Sequence, residues 1–166
     1  QRQHPRDFSI NSALAQYLSE LKPPPRDEVI AFNRVALAVR PQTAGIHNAL
    51  CVSLVEKGRL DEALACIKKA IELEPRTAYF HSNLGNILLL QKKAPEALAA
   101  LDKALELDKT NAELDKTNAN LRTMKTMAYA SGTRGSVLQE LLHEYDKAID
   151  EFHKAIKLDP KEADFW

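Results

Sequence analysis

Asp61-Glu62-Ala63-Leu64-Ala65-Cys66, leading to Ala70 and closed by Pro75, has a near copy thirty-four residues earlier in the chain. There Asp27-Glu28-Val29-Ile30-Ala31-Phe32 leads to Ala36 and Pro41. A third copy runs from Pro95-Glu96-Ala97-Leu98 to Ala104, and a fourth from Asp146-Lys147-Ala148-Ile149 to Ala155 and Pro160. A period of this size marks a stacked helical array, in which no single unit can bury its own apolar face. Such arrays work by presenting a surface, so the repeat bears on function as well as fold.

Working outward, Ala44 to Thr77 is the clearest unit. Leu50, Cys51 and Leu54 recur at helical spacing before Gly58, and Ala63, Ile67 and Ala70 do so after it. Gly58 suits the turn between two helices, and Asp61 is the expected cap of the second. The next unit, Ala78 to Asn111, repeats the pattern with Leu84, Gly85 and Leu88, then Ala97, Leu101 and Ala104. Pro95 falls in the first turn of its second helix, where its missing donor costs nothing. The first unit is degenerate. Leu14, Ala15 and Leu18 form its first helix, Lys22-Pro23-Pro24-Pro25-Arg26 lengthens its turn, and a regular helix is expected over residues 26–39.

These residues resemble the tetratricopeptide repeat family, whose pattern is Trp-x2-Leu-Gly-x2-Tyr, then Ala-x3-Phe, Ala and Pro. One unit matches at Leu84-Gly85, Leu88, Ala97, Leu101 and Ala104, the other at Leu50, Leu54, Ala63, Ile67, Ala70 and Pro75. His47 and His81 stand where the family has Trp, and Lys109 stands where it has Pro. The resemblance implies an all-α, right-handed superhelical solenoid of antiparallel helix hairpins with the last hairpin elongated. The expected organisation is one array over 1–166. It comprises a degenerate repeat at 10–43, repeats at 44–77 and 78–111, an elongated repeat at 112–162, and the start of a truncated one at 163–166.

The elongated unit is the anomaly. Ala97 and Ala148 are 51 residues apart, seventeen more than one period, and Glu106 to Ala112 is repeated at once as Glu113 to Ala119. Seven residues are close to two helical turns and keep the same face inward. The pattern reads as two long helices, about 110–130 and 136–158, with Ser131-Gly132-Thr133-Arg134-Gly135 as the loop between them. A break is favoured at Asp108 to Asn111, polar on every side; the rival is one helix from Pro95 to Ala130. Ala163-Asp164-Phe165-Trp166 matches the opening of another repeat, so the last hairpin is expected to leave an apolar face open.

The chain has 166 residues, with 23 basic and 23 acidic side chains and no block of one sign. That balance argues against nucleic acid or an anionic membrane as partner. No apolar stretch is long enough to span a bilayer, and with no signal peptide visible a cytoplasmic setting is expected. The first residue is not Met, which reads as a segment of a longer protein. Cys51 and Cys66 lie where the repeat wants small apolar residues, so free thiols are favoured over a disulfide.

No catalytic motif is present, and neither a cofactor nor a metal is expected. Glu140-Leu141-Leu142-His143 has the spacing of one half of a di-iron site, but no second such string exists to complete it. His47 and His81 fill packing slots on the simpler account, with a layered pair as the alternative. By resemblance, the first helices line a concave groove that accepts a peptide or partner helix. Its lining would include Asn48, Val52, Val55 and Glu56 from one unit, and Tyr79, Asn83, Asn86 and Leu89 from the next. Asn83-Leu84-Gly85-Asn86 resembles units whose amides bond a ligand's main chain. A clamp for acidic C-termini is disfavoured, since Asn48 and Val52 stand where that clamp has Lys and Asn. The expected function is a protein–protein interaction scaffold without enzymatic activity. Two alternatives stand beside it: a segment of a larger enzyme such as a bacterial Ser/Thr kinase or glycosyltransferase, and a homodimer formed through the uncapped C-terminal hairpin.

Overall fold

The computed structural model describes residues 8–21, 25–114 and 121–161, and among them every regular element is a helix. Eight are found: α1 (Phe8–Glu20), α2 (Arg26–Val39), α3 (Ala44–Glu56), α4 (Leu60–Leu73), α5 (Ala78–Leu90), α6 (Ala94–Leu114), α7 (Leu121–Glu140) and α8 (Tyr145–Leu158). The chain packs as two compact units, residues 1–75 and 76–166.

In the first unit α1 packs on α2, α2 on α3 and α3 on α4. α2 covers the expected 26–39. The turn after α3 is closed by Gly58 at φ 71°, a left-handed conformation that glycine adopts without the Cβ clash. α4 begins at Leu60 with Arg59 at its N-cap, whose own side chain makes no capping bond. Asp61 therefore sits in the first turn instead of at the cap, where its charge complements the helix dipole. The core is Val29, Ile30, Ala36, Leu50, Cys51, Leu54, Ala63, Ile67 and Ala70. Around it, ion pairs join α2 to its neighbours: Arg26 with Glu56, Lys57 Nζ with Asp27 Oδ2 at 2.8 Å, and Arg34 with Glu62 at 2.9 Å. His47 Nε2 lies 2.8 Å from the Pro41 carbonyl, which fixes its ring against the α2–α3 turn.

In the second unit α5 packs on α6 and α7, α6 on α7, and α7 on α8. Its core joins Leu88, Ala94, Ala97, Leu101 and Ala104 to Ala130 and Val137. Three expectations are corrected here. α6 does not break at Asp108 to Asn111 but continues to Leu114; Asp108 is buried, so the segment is not polar on every side. α6 and α7 pack side by side, which also excludes one straight helix from Pro95 to Ala130. Residues 131–135 are not a loop but the middle of α7, and the turn falls at residues 141–144, where His143 takes φ 56°.

The glycines explain the third correction. A Cβ on Gly85 would lie 2.5 Å from Leu101 Cγ, and one on Gly135 would lie 2.7 Å from Phe152 Cε1. Both are close-approach residues inside a helix, where packing outweighs the intrinsic cost of glycine. Aligned on these glycines, Ala128-Tyr129 matches Ala78-Tyr79, Val137 matches Ile87 and Leu138 matches Leu88. The fourth hairpin thus has an ordinary first helix from Ala128 to Glu140, preceded by seven further residues of α7. α6 likewise matches the fourteen residues of α4 up to Leu107 and then adds seven more. Each extension adds about 10 Å at the helical rise of about 1.5 Å per residue. Sixteen of the seventeen extra residues lie between Leu107 and Ala128, and the last lies in the turn before α8. The elongation expected of the last hairpin therefore falls on α6 and α7, while α8 keeps the length of α2 and α4. Residues 22–24 of the triple-proline turn, most of the second heptad copy and Ala163 to Trp166 lie outside the described residues.

Candidate binding surface

The eighth residue of each first helix, counted as above, is Ala15, Cys51, Gly85 or Gly135. The eighth residue of each second helix is Asn33, Ile67, Leu101 or Phe152. Small residues on one side and large apolar ones on the other fill each hairpin, except in the first, where the large residue is an asparagine. Asn33 is 1% exposed, and its Nδ2 is buried without a hydrogen-bond partner. It faces a cavity of about 330 Å³ between α1, α2 and α3. Ser12, Ala15 and Gln16 line it from α1, Arg26 and Val29 from α2, and Gly45, Ile46, Ala49, Val52 and Ser53 from α3. The Ser53 hydroxyl already donates to the Ala49 carbonyl at 3.2 Å.

Of the residues expected to line a groove, Val52 is in this cavity's wall, and Glu56 stands at its edge through its ion pair with Arg26. Asn48 and Val55 are half-buried on the same helix. In the second unit Tyr79 is exposed, Asn86 is half-buried, and Asn83 is 5% exposed and already engaged within the protein. Leu89 packs against the second unit's core. Sequence reasoning missed Asn33, Arg26, Ser12 and Gln16. For Asn33 the signal was present: aligning Asp27 with Asp61 puts it opposite Ile67.

A second cavity, about 360 Å³, opens in the second unit between α7 and α8, with Leu98 of α6 at its side. Its three basic side chains, Arg134, Lys147 and Lys154, are all paired. Arg134 reaches Asp102 at 3.0 Å and Glu151 at 2.7 Å, and Lys154 shares the same Glu151 oxygen at 2.7 Å. Glu140 and His143 cannot act as a helical metal pair, because Glu140 ends α7 and His143 lies in the turn beyond it. Among the described residues no cluster of three or more His, Cys, Asp or Glu could hold a metal ion, and no helix is long and apolar enough to cross a membrane. Both cysteines are free. Burial pushes the Cys51 thiol up to about 12, helped by the neighbouring Cys66, and burial raises Cys66 as well.

Stacked helix hairpins with a small-against-large register define a helical-repeat protein. Residues 49–112 match the tetratricopeptide repeat family, and the all-helical fold around them is the one tetratricopeptide proteins share. The solved structure of MamA superposes with a TM-score of 0.68 at 15% identity, covering 97% of this chain and 83% of that one. TTC0263, a thermophilic TPR protein in Thermus thermophilus, gives 0.68 at 23% identity, covering 97% and 78%. YrrB, described as a TPR protein with an unusual peptide-binding site, gives 0.56 at 21% identity, covering 95% and 89%. No curated protein sequence matches the chain.

Proposed function

We propose that this chain is a protein–protein interaction module that holds a peptide or partner helix against its first helices. The observation that carries this is the open cavity of the first unit. It is walled by α1 and α3, lined by apolar and neutral polar side chains, and bordered by a cation already matched by Glu56. Such a surface suits an extended or helical segment of moderate polarity. The peptide site described for YrrB, a protein of similar fold, points the same way. Asn48, Val52, Val55 and Glu56 would serve in the first unit; in the second, Tyr79 and Asn86 are the accessible candidates, while Asn83 and Leu89 are taken up by the interior. The module works by binding, and no catalytic step is assigned to it. Its free thiols suit a reducing cytoplasm. A displayed random-peptide library panned on the 166-residue chain tests the reading. Enriched peptides should lose about tenfold or more in affinity to Val52→Arg and nothing to Lys68→Ala on the exposed side of α4. Failure to enrich, or enrichment indifferent to Val52→Arg, would overturn it.

A second reading, self-association through the last hairpin, has its own observation. Leu142, Tyr145 and Ile149 are 40%, 58% and 51% exposed in neighbouring positions on the turn and α8. Leu138 is 4% exposed and belongs to the interior, so Ile149→Lys and Leu142→Lys are the informative changes. Sedimentation across a concentration series decides it: a dimer abolished by Ile149→Lys supports self-association, and a monomer throughout removes it.

A further inference from the structure

We infer that the cavity at Asn33 is a specificity subsite for a side-chain carboxamide, the Gln or Asn of a bound peptide; this rests on the peptide-binding reading above. In the other three hairpins the corresponding position holds Ile67, Leu101 or Phe152. Folding alone gives no reason for the exception, because an amide donor buried without a partner opposes folding and an aliphatic side chain would not. Asn33 is nine-tenths buried and more, its Nδ2 has no partner, and it borders a cavity with room for one long side chain and adjoining main chain.

The lining selects among occupants. An aliphatic side chain would leave Asn33 unpaired. A carboxylate would find no spare cation, since Arg26 is already paired with Glu56, and would face that glutamate's charge. A carboxamide accepts from Asn33 Nδ2, and its methylenes pack on Ala15, Val29 and Val52. It also answers the reversed orientation of the Asn33 amide, because it carries both donor and acceptor while a carboxylate only accepts.

The test is a titration of the ¹⁵N-labelled 166-residue chain with N-acetylglutamine methylamide, using the glutamate and norleucine analogues as comparators. The glutamine probe should saturably shift the Asn33 side-chain NH₂ signals and the Ala49 and Val52 amides. Its affinity should exceed that of either comparator by about tenfold, the worth of one buried hydrogen bond. Asn33→Leu should abolish the saturation and raise Tm. Unmoved Asn33 signals overturn the subsite, as does equal binding of norleucine or undiminished binding by Asn33→Leu. Should that variant not fold, Ala49→Trp plugs the cavity from α3 and must likewise abolish saturation. The two readings fail differently. Shifts confined to Asn48 and Val55 would keep the groove and remove the subsite, whereas a library in which no peptide depends on Val52 would remove the groove itself.

Discussion

Gly135 sets its bare Cα against the ring of Phe152, so closely that a methyl group there would lie 2.7 Å from Cε1. The same relationship joins Gly85 to Leu101, with the added methyl 2.5 Å from Cγ. The two sites differ in how they can yield. Leu101 is fully buried and the clash is at its branch point, whereas Phe152 is half-buried and the clash is at the edge of its ring. Gly85→Ala is therefore expected to destabilise the protein by about 2–3 kcal/mol, the range for overpacking. Gly135→Ala should cost about 1 kcal/mol or less, because alanine's helix preference offsets a clash the ring can relieve. Denaturant unfolding measures both, and Phe152→Leu should erase the cost of Gly135→Ala in a double-mutant cycle.

Arg134 holds three helices of the second unit together, through Asp102 on α6 and Glu151 on α8. Glu151 has a side chain only 6% exposed. Arg134→Met removes one partner and leaves that carboxylate buried with Lys154 alone, at an expected cost of about 2–3 kcal/mol. Replacing both, Arg134→Met with Glu151→Leu, should recover most of the loss. Equal instability of the single and double variants in urea would show that the ion pair is not what matters.

Asp108 is 4% exposed, its Oδ2 has no hydrogen-bond partner, and burial pushes its carboxyl up to about 6. The folded state thus holds this proton more tightly than the unfolded chain, whose carboxyl titrates near about 4. The stability this gives is present below about pH 4 and is lost as pH rises through about 6. Asp108→Asn should flatten that dependence and be more stable than wild type at pH 7 by on the order of 1–3 kcal/mol. The difference between the two unfolding free energies, followed from about pH 4 to 8, should grow with pH. A constant difference would refute the assignment.

Cys51, 1% exposed and raised to about 12, holds almost no thiolate at neutral pH, and Cys66 is raised too. A thiol reagent at about pH 8 should label Cys51 in the folded chain at least about a hundredfold more slowly than in guanidinium, with the half-buried Cys66 reacting first. Rapid labelling of both thiols in the folded state would contradict the burial of Cys51 between α3 and α4.

The legible part of the fold was the part where local preference and packing agree. Gly58, Pro95 and the alanines at 63, 70, 97 and 104 announced their turns and close contacts by residue type alone. The fourth hairpin did not, because Gly132 and Gly135 read locally as loop residues while their place in the interior makes them helical. Ala128-Tyr129 seven residues before Gly135, echoing Ala78-Tyr79 before Gly85, was the clue that periodicity at the apolar positions passed over. Asp108 misled in the opposite direction: a polar residue suggested a helix end, and nothing local shows that it is covered. For the site, the α3 residues were chosen by family resemblance and only Val52 among them lines the first unit's cavity, whereas Asn33 needed comparison between repeats. Its meaning lies in what it replaces.

The lengthened connection in the second unit has a kinetic consequence. Both hairpins of that unit close through a turn of three or four residues, so α5–α6 and α7–α8 can each form locally and fast. Elsewhere a second helix is followed by the next first helix after four residues, but twenty separate Leu107 from Ala128. In the unfolded chain that fivefold greater length adds about 1–1.5 kcal/mol of closure entropy to joining the two hairpins. Nucleation inside either hairpin is untouched, and the delay falls entirely on the propagation step between α5–α6 and α7–α8. The seam where the heptad was duplicated is thus the point at which the second unit's cooperativity is thinnest.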